Sequence, residues 1–250
     1  KLDGIDPGQL SEVGEPSLMD RWLLSRLQVL VRDLEQALES YNLPPAVRAV
    51  EGFFDDLSNW YVRLNRRRFW KSDSDLDKAA AYVTLHKTLV TLSKILAPFL
   101  PFLAEEMYQN LVRSVDADAP ESVHLCAFPE VEEERIDEEL MSDMALTRQV
   151  VSLGRSARTE SAIKVRQPLS GVQVWVQNGS QEALERCRGL ILHELNVKTL
   201  GFVSDPEALM TRSVKPNFRS LGKKYGKLVP QIKTALEEMD GNETAARLEQ

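Results

Sequence analysis

Residues 60–71 (WYVRLNRRRFWK) combine five positive charges with four aromatic rings and contain no acid. Arginine side chains bind phosphate groups through paired hydrogen bonds, and flat aromatic rings stack on unpaired bases. These residue types indicate a surface that could bind nucleic acid. A solvated helix with buried aromatic rings has the same composition, so that interpretation stays open.

Helical spacing separates these side chains onto two faces. At about 100° per residue, five apolar side chains share one arc, as expected of a face that packs into a core: Phe53, Leu57, Trp60, Tyr61 and Leu64. Arg63, Arg66 and Arg67 fall on the opposite side, and Trp70 projects beside them. We predict that these four residues are exposed.

Arg68 does not follow this pattern, because it projects along the apolar face. A charged side chain is rarely buried alone. Arg68 therefore either pairs with a carboxylate or marks the point where the helix extends past its bundle. We favour the structural ion pair.

Two further parts of the sequence concentrate positive charge. One holds Arg148, Arg155, Arg158, Lys164 and Arg166 with a single acid, Glu160. The other, residues 208–236, holds no acid and seven basic residues: Arg212, Lys215, Arg219, Lys223, Lys224, Lys227 and Lys233. Because the net charge is −7, binding of a polyanion must depend on such local patches. The three clusters together favour RNA as the partner.

Residues typical of catalysis or metal binding are not grouped in this sequence. The three histidines lie far from one another, and the two cysteines, Cys126 and Cys187, form no zinc-type pair. We expect no metal, no cofactor and no catalysis by this chain alone. Two distant cysteines suit a reducing cytoplasm, and no apolar run is long enough to span a membrane.

Apolar periodicity predicts a mainly α protein. Leucine-rich patterns indicate five helices that pack as an antiparallel bundle: 17–40, 45–69, 76–96, 102–115 and 137–158. Residues 122–128 are predicted to be extended. Ser17 and Asp20 have the spacing of a capping box.

The period changes after Pro168, where a small α/β domain is predicted. Its elements would be a strand at 172–176, a helix at 182–195, a strand at 198–203 and a helix at 218–239. We expect a linker at 1–16, the bundle at 17–166 and the α/β domain at 167–250. Because the chain begins with Lys1 in a polar stretch, we expect a piece of a longer chain.

Residues 59–70 (NWYVRLNRRRFW) resemble the signature of the anticodon-binding domain of isoleucyl-tRNA synthetases, a class I family. Four other stretches resemble the family in the same order: 20–27 (DRWLLSRL), 96–106 (LAPFLPFLAEE), 155–169, with RSAR and KVRQPL, and 214–218 (VKPNF). The 96–106 motif is shared by the valine, leucine, isoleucine and methionine enzymes. The arginine-rich motif is more specific.

The resemblance implies a bundle that receives the anticodon stem-loop and an α/β module that helps to hold the tRNA. Arg63, Arg66 and Arg67 would contact phosphate groups, and Trp70 or Phe69 would stack on a base. Further tRNA contacts would come from basic residues of the other clusters: Arg155, Arg158, Lys223, Lys224 and Lys227.

The family loads isoleucine onto tRNA with ATP and magnesium, but its nucleotide-binding signatures and its editing domain are missing here. The resemblance therefore implies a non-catalytic region whose partners are isoleucine tRNA and the remainder of the synthetase, in a cytoplasmic monomer. Two alternatives remain. One is the equivalent region of a valine or leucine enzyme. The other is a helical module that docks protein through Phe69 and Trp70 without binding RNA.

Overall fold

The computed structural model describes residues 13–71, 75–176, 180–205, 225–228, 230–231 and 234–235 of the 250-residue chain. It divides into two compact units, Lys1–Ala145 and Leu146–Gln250. The division falls within one long helix, ahead of the boundary predicted at residue 166. Among the described residues, no helix has the length and apolar character needed to cross a membrane.

Helix α1, Leu18–Glu39, begins at the predicted capping box. The backbone N–H of Asp20 donates to Ser17 Oγ over 3.2 Å, and the backbone N–H of Ser17 donates to Asp20 Oδ2 over 2.8 Å. These two bonds satisfy amide groups that the start of a helix leaves without partners. One face of α1 is buried, with Trp22, Leu23 and Leu27 at its centre.

The predicted second helix, 45–69, is divided in the structure. Helix α2, Leu43–Asp55, continues into a π-helical segment, Asp56–Val62, before helix α3, Arg66–Lys71. Asn65, which lies between the last two, is buried and donates its side-chain N–H to the Tyr61 carbonyl over 2.8 Å. A π-turn holds more residues than an α-turn, so the side chains of α3 point in different directions from those expected if α2 continued as one regular helix.

The rest of the first unit completes a helical bundle in which α1 packs against both α2 and α4. Its elements are α4, Asp75–Leu96; α5, Pro101–Tyr108; a π-helical segment, Gln109–Arg113; and two 3-10 turns, Val123–Leu125 and Glu133–Arg135. The prediction of an extended piece at 122–128 was wrong at its centre. Ser122 instead caps a turn by accepting a hydrogen bond from the His124 N–H.

Helix α6, Glu138–Glu160, leads to the second unit, where the predicted β-α-β pattern is confirmed. Strands β1, Leu169–Val174, and β2, Val197–Phe202, pair in parallel. The predicted connecting helix is broken at Cys187 into α7, Ser180–Arg186, and α8, Arg188–Leu195. Most of the helix predicted at 218–239 lies outside the described residues. The protein is thus mainly α with a small α/β part.

Candidate nucleic-acid interface

An exposed face of basic and aromatic residues lies on α3 and just before it. Arg63, Arg66, Arg67 and Trp70 are all exposed, and we call them the arginine–tryptophan face. The guanidinium carbon of Arg66 lies 4.8 Å from the centre of the Trp70 ring, within cation–π range. The Trp70 side chain still exposes 69% of its surface. This face offers donors for phosphate and a flat ring for stacking.

Arg68 holds α3 to the starts of α1 and α4. Its Nη2 atom lies 2.8 Å from Asp20 Oδ2 and 2.7 Å from Asp77 Oδ1. Its Nη1 atom also donates to Ser17 Oγ and to Asn65 Oδ1, each over 3.1 Å. The predicted ion pair is confirmed. Since α3 has only six residues, this anchor fixes which side of it faces solvent.

Asp20, which is fully buried, is the centre of this anchor. Tyr61 donates its hydroxyl to Asp20 Oδ1 over 2.6 Å, beside the bonds from Arg68 and Ser17. Burial alone would raise the pKa of Asp20, but the bonds from Arg68, Tyr61 and Ser17 hold that pKa below its usual value. Burial and the neighbouring Asp20 charge raise the pKa of Tyr61. Asp20 therefore stays ionised and Tyr61 stays protonated.

Phe69 is not available for stacking, which corrects its proposed role. The ring is 8% exposed and packs edge-on against Tyr61 and Tyr82, at centroid distances of 6.4 and 5.4 Å. It occupies the side of α3 that faces the core, next to Arg68. The alternative hypothesis, in which Phe69 and Trp70 dock a protein, is weakened too, because the buried Phe69 ring is not available to a partner.

The second basic cluster does not form one open surface. Arg155 pairs through Nη2 with Glu194, whose side chain is buried. Arg158 is only 5% exposed, and its guanidinium donates to the backbone carbonyls of Lys164, Gln167, Leu195 and Asn196. The proposal that Arg158 contacts tRNA is therefore wrong. Arg158 is a structural residue that binds carbonyl oxygens.

Most of the third basic cluster falls on residues that lie outside the part of the chain that the structure describes. Lys223 and Lys224 lie outside the described residues. Lys227 belongs to the 3-10 turn Gly226–Leu228, but its side chain also lies outside the description. Within the described part of the chain, no three His, Cys, Asp or Glu side chains group as metal ligands would.

Comparison with known proteins gives a consistent family. The family described as the anticodon-binding domain of tRNA ligase matches residues 20–173. An isoleucine–tRNA ligase of Clostridium acetobutylicum is 44% identical over 249 residues, which are 99% of this chain and 24% of that protein. One from Deinococcus radiodurans is 45% identical over 249 residues, or 99% of this chain and 22% of that protein.

A third relative, an isoleucine–tRNA ligase of Chlamydia trachomatis, is 44% identical over 236 residues, 94% of this chain and 22% of the relative. The chain thus spans about a quarter of the length of the curated relatives it matches. The family match contains every residue of the arginine–tryptophan face. The chain belongs to the family of anticodon-binding domains of tRNA ligases.

Proposed function

We propose that this chain binds the anticodon stem-loop of isoleucine tRNA as part of an isoleucine–tRNA ligase. The observation that carries the proposal is the arginine–tryptophan face, which is exposed on α3 and just before it, where Arg68 holds the short helix in place. The isoleucine assignment is supported by the three relatives described above, each of which is named isoleucine–tRNA ligase. This support weighs against a valine or leucine enzyme.

The residues of the face have distinct roles in this proposal. Arg66 and Arg67 bind backbone phosphates, because a guanidinium offers paired donors that match phosphate oxygens. Arg63 contributes charge, while its Nε atom donates to the Asn59 carbonyl over 2.8 Å. Trp70 stacks on an unpaired base of the loop, as exposed aromatic rings do in single-stranded RNA recognition.

The chemistry of aminoacylation would belong to other parts of the enzyme. We propose that ATP and magnesium bind outside this chain, and that the remainder of the synthetase is its second partner. This region would supply affinity and position for the tRNA and no reacting group. We expect the enzyme to act as a cytoplasmic monomer.

Competition among purified tRNAs tests the proposal. Labelled isoleucine tRNA is bound to the 250-residue chain, and unlabelled isoleucine, valine and leucine tRNAs are added as competitors. We expect isoleucine tRNA to compete best. Equal competition by all three would remove the isoleucine assignment, whereas no complex with any tRNA would contradict RNA binding itself.

A further inference from the structure

Residues 164–167 form a turn whose four carbonyl oxygens all accept hydrogen bonds; we call it the KVRQ turn. The Gln167 N–H closes it by donating to the Lys164 carbonyl over 3.0 Å. Arg158 Nη1 donates to the carbonyls of Lys164 and Gln167, each over 3.1 Å. Asn196 Nδ2 donates to the carbonyls of Val165 and Arg166 over 3.0 and 3.1 Å.

The two side chains that donate these bonds, Arg158 of α6 and Asn196, are both held at the C-terminal end of α8. Arg158 Nη2 donates to the carbonyls of Leu195 and Asn196 over 2.6 and 3.2 Å. Asn196 has a left-handed backbone conformation with φ at 49°, a geometry that asparagine tolerates better than most residues. The turn is therefore held by side chains that are anchored, and its shape is set before any ligand arrives.

The hydrogen bonds to the turn leave its outer surface positively charged. Carbonyl oxygens carry the negative end of each peptide dipole, and here they are paired with Arg158 and Asn196. Lys164 and Arg166 are both exposed. Among the described residues, neither Lys164 nor Arg166 forms an ion pair. Glu160 is the one acid in residues 158–168.

Arg158 adds positive potential beneath the turn. Its hydrogen bonds go to neutral carbonyls, so these contacts leave its full charge in place. Lys164 and Arg166 thus lie on the outside of the turn and Arg158 lies buried beneath it. The hydrogen bonds hold the backbone that carries them. Because the backbone that carries Lys164 and Arg166 is already fixed, binding an anion there costs less conformational freedom than it would on a mobile loop.

We infer that the KVRQ turn is a second RNA contact, in which Lys164 and Arg166 bind backbone phosphates of the tRNA and Arg158 and Asn196 position the turn. This inference rests on the proposed function, and the turn lies inside the matched region 20–173. RNA is favoured over an acidic protein surface because the chain belongs to a family of tRNA ligase domains. In this inference the tRNA contact first predicted for Arg158 is made by Lys164 and Arg166 of the turn.

The salt dependence of tRNA binding tests the inference. Affinity falls as salt rises, so the slope of log affinity against log salt is negative, and each lost phosphate contact should make it shallower by roughly 0.7 to 0.9. We expect Lys164→Ala/Arg166→Ala to make the slope shallower by roughly 1.4 to 1.8. Arg188→Ala is a control within the same unit, because it removes a partly exposed positive charge that pairs with Glu185 and lies outside the turn. It should leave the slope unchanged.

The outcomes separate this inference from the proposed function. If the unmodified chain binds isoleucine tRNA and Arg66→Ala/Arg67→Ala weakens it, but Lys164→Ala/Arg166→Ala does not, the turn has no RNA contact. Unchanged tRNA binding together with lost binding of an acidic protein would assign the turn to a protein partner. No tRNA binding by the unmodified chain would overturn both proposals. Lys164→Arg should retain the slope, and equal urea midpoints confirm that all variants fold.

Discussion

The Arg66 guanidinium covers the Trp70 ring, with 4.8 Å between the guanidinium carbon and the ring centre. The two residues are four positions apart, so they lie one turn apart on the same side of α3. This contact restrains the orientation of an indole that is otherwise mostly exposed. A ring that is already oriented loses less conformational freedom when a base stacks on it.

Replacing Trp70 should weaken RNA binding without changing its salt dependence. We expect Trp70→Ala to cost about 1–3 kcal/mol of tRNA affinity, the usual range for one stacked base. The slope against salt should stay the same, because no phosphate contact is removed. Fluorescence titration of tRNA at several salt concentrations measures both quantities.

Phe102 provides the matched control for this substitution. It is an aromatic residue at the start of α5 and is 90% exposed, outside the arginine–tryptophan face. Phe102→Ala should bind tRNA like the unmodified chain. Equal losses from both substitutions, or none from Trp70→Ala, would show that Trp70 does not stack on a base.

Removing the buried carboxylate of Asp20 should destabilise the fold. Loss of one partner of a buried ion pair costs about 3–5 kcal/mol. We expect Asp20→Asn to fall near the lower end of this range, since Arg68 keeps its contact with Asp77. Urea unfolding at pH 7 measures the change, and Asp118→Asn, an exposed loop position, is the control.

The contribution of Asp20 should also depend on pH. Its pKa is lowered in the folded protein from an ordinary value of 3.8, so below pH 3.8 the unfolded chain binds a proton that the folded chain does not. The stabilisation is therefore fully present above pH 3.8 and is lost as pH falls toward the folded pKa. The difference in unfolding free energy between the unmodified chain and Asp20→Asn should shrink below pH 3.8. A constant difference down to pH 2 would contradict the ionised carboxylate.

Arg158→Lys should destabilise the second unit although it retains the charge. A lysine ammonium cannot reproduce the planar set of donors that reaches four carbonyls. The Leu195 carbonyl is buried, and leaving it without its Arg158 donor should cost about 1–3 kcal/mol. Thermal unfolding measures the loss, and Arg166→Lys, at an exposed position, should leave the midpoint unchanged. Equal midpoints for both variants would refute the structural role of Arg158.

Two glycines in helices should respond to alanine in opposite directions. A Cβ atom at Gly154 would lie 2.6 Å from Leu195 Cδ1, a buried side chain, whereas one at Gly52 would meet nothing within 4 Å. Gly154→Ala should therefore destabilise the protein by about 1–3 kcal/mol through overpacking. Gly52→Ala should stabilise it by about 0.5–1 kcal/mol, the difference in helix propensity. Unfolding midpoints that shift in the same direction would contradict this packing.

Features that depend on nearby residues were predictable from the sequence. The capping box of Ser17 and Asp20 uses residues three positions apart, and the Arg68 ion pair follows from a charge on an apolar helix face. The burial of Phe69 was not predictable, because it depends on Tyr82 of α4. The structural role of Arg158 was not predictable either, because its partners include the backbone carbonyls of residues 195 and 196, which are distant in sequence and carry no charge. The π-helical segment likewise left no periodic signal.

The salt dependence of tRNA binding by Arg66→Ala/Arg67→Ala tests the central claim most directly. Arg32→Ala/Arg48→Ala removes the same number of exposed charges from α1 and α2 and is the matched control. If Arg66 and Arg67 bind phosphates, the first variant should bind isoleucine tRNA more weakly, with a slope that is shallower by roughly 1.4 to 1.8, while the control keeps its slope. If both variants bind with the affinity and slope of the unmodified chain, the arginine–tryptophan face is not the tRNA-binding surface.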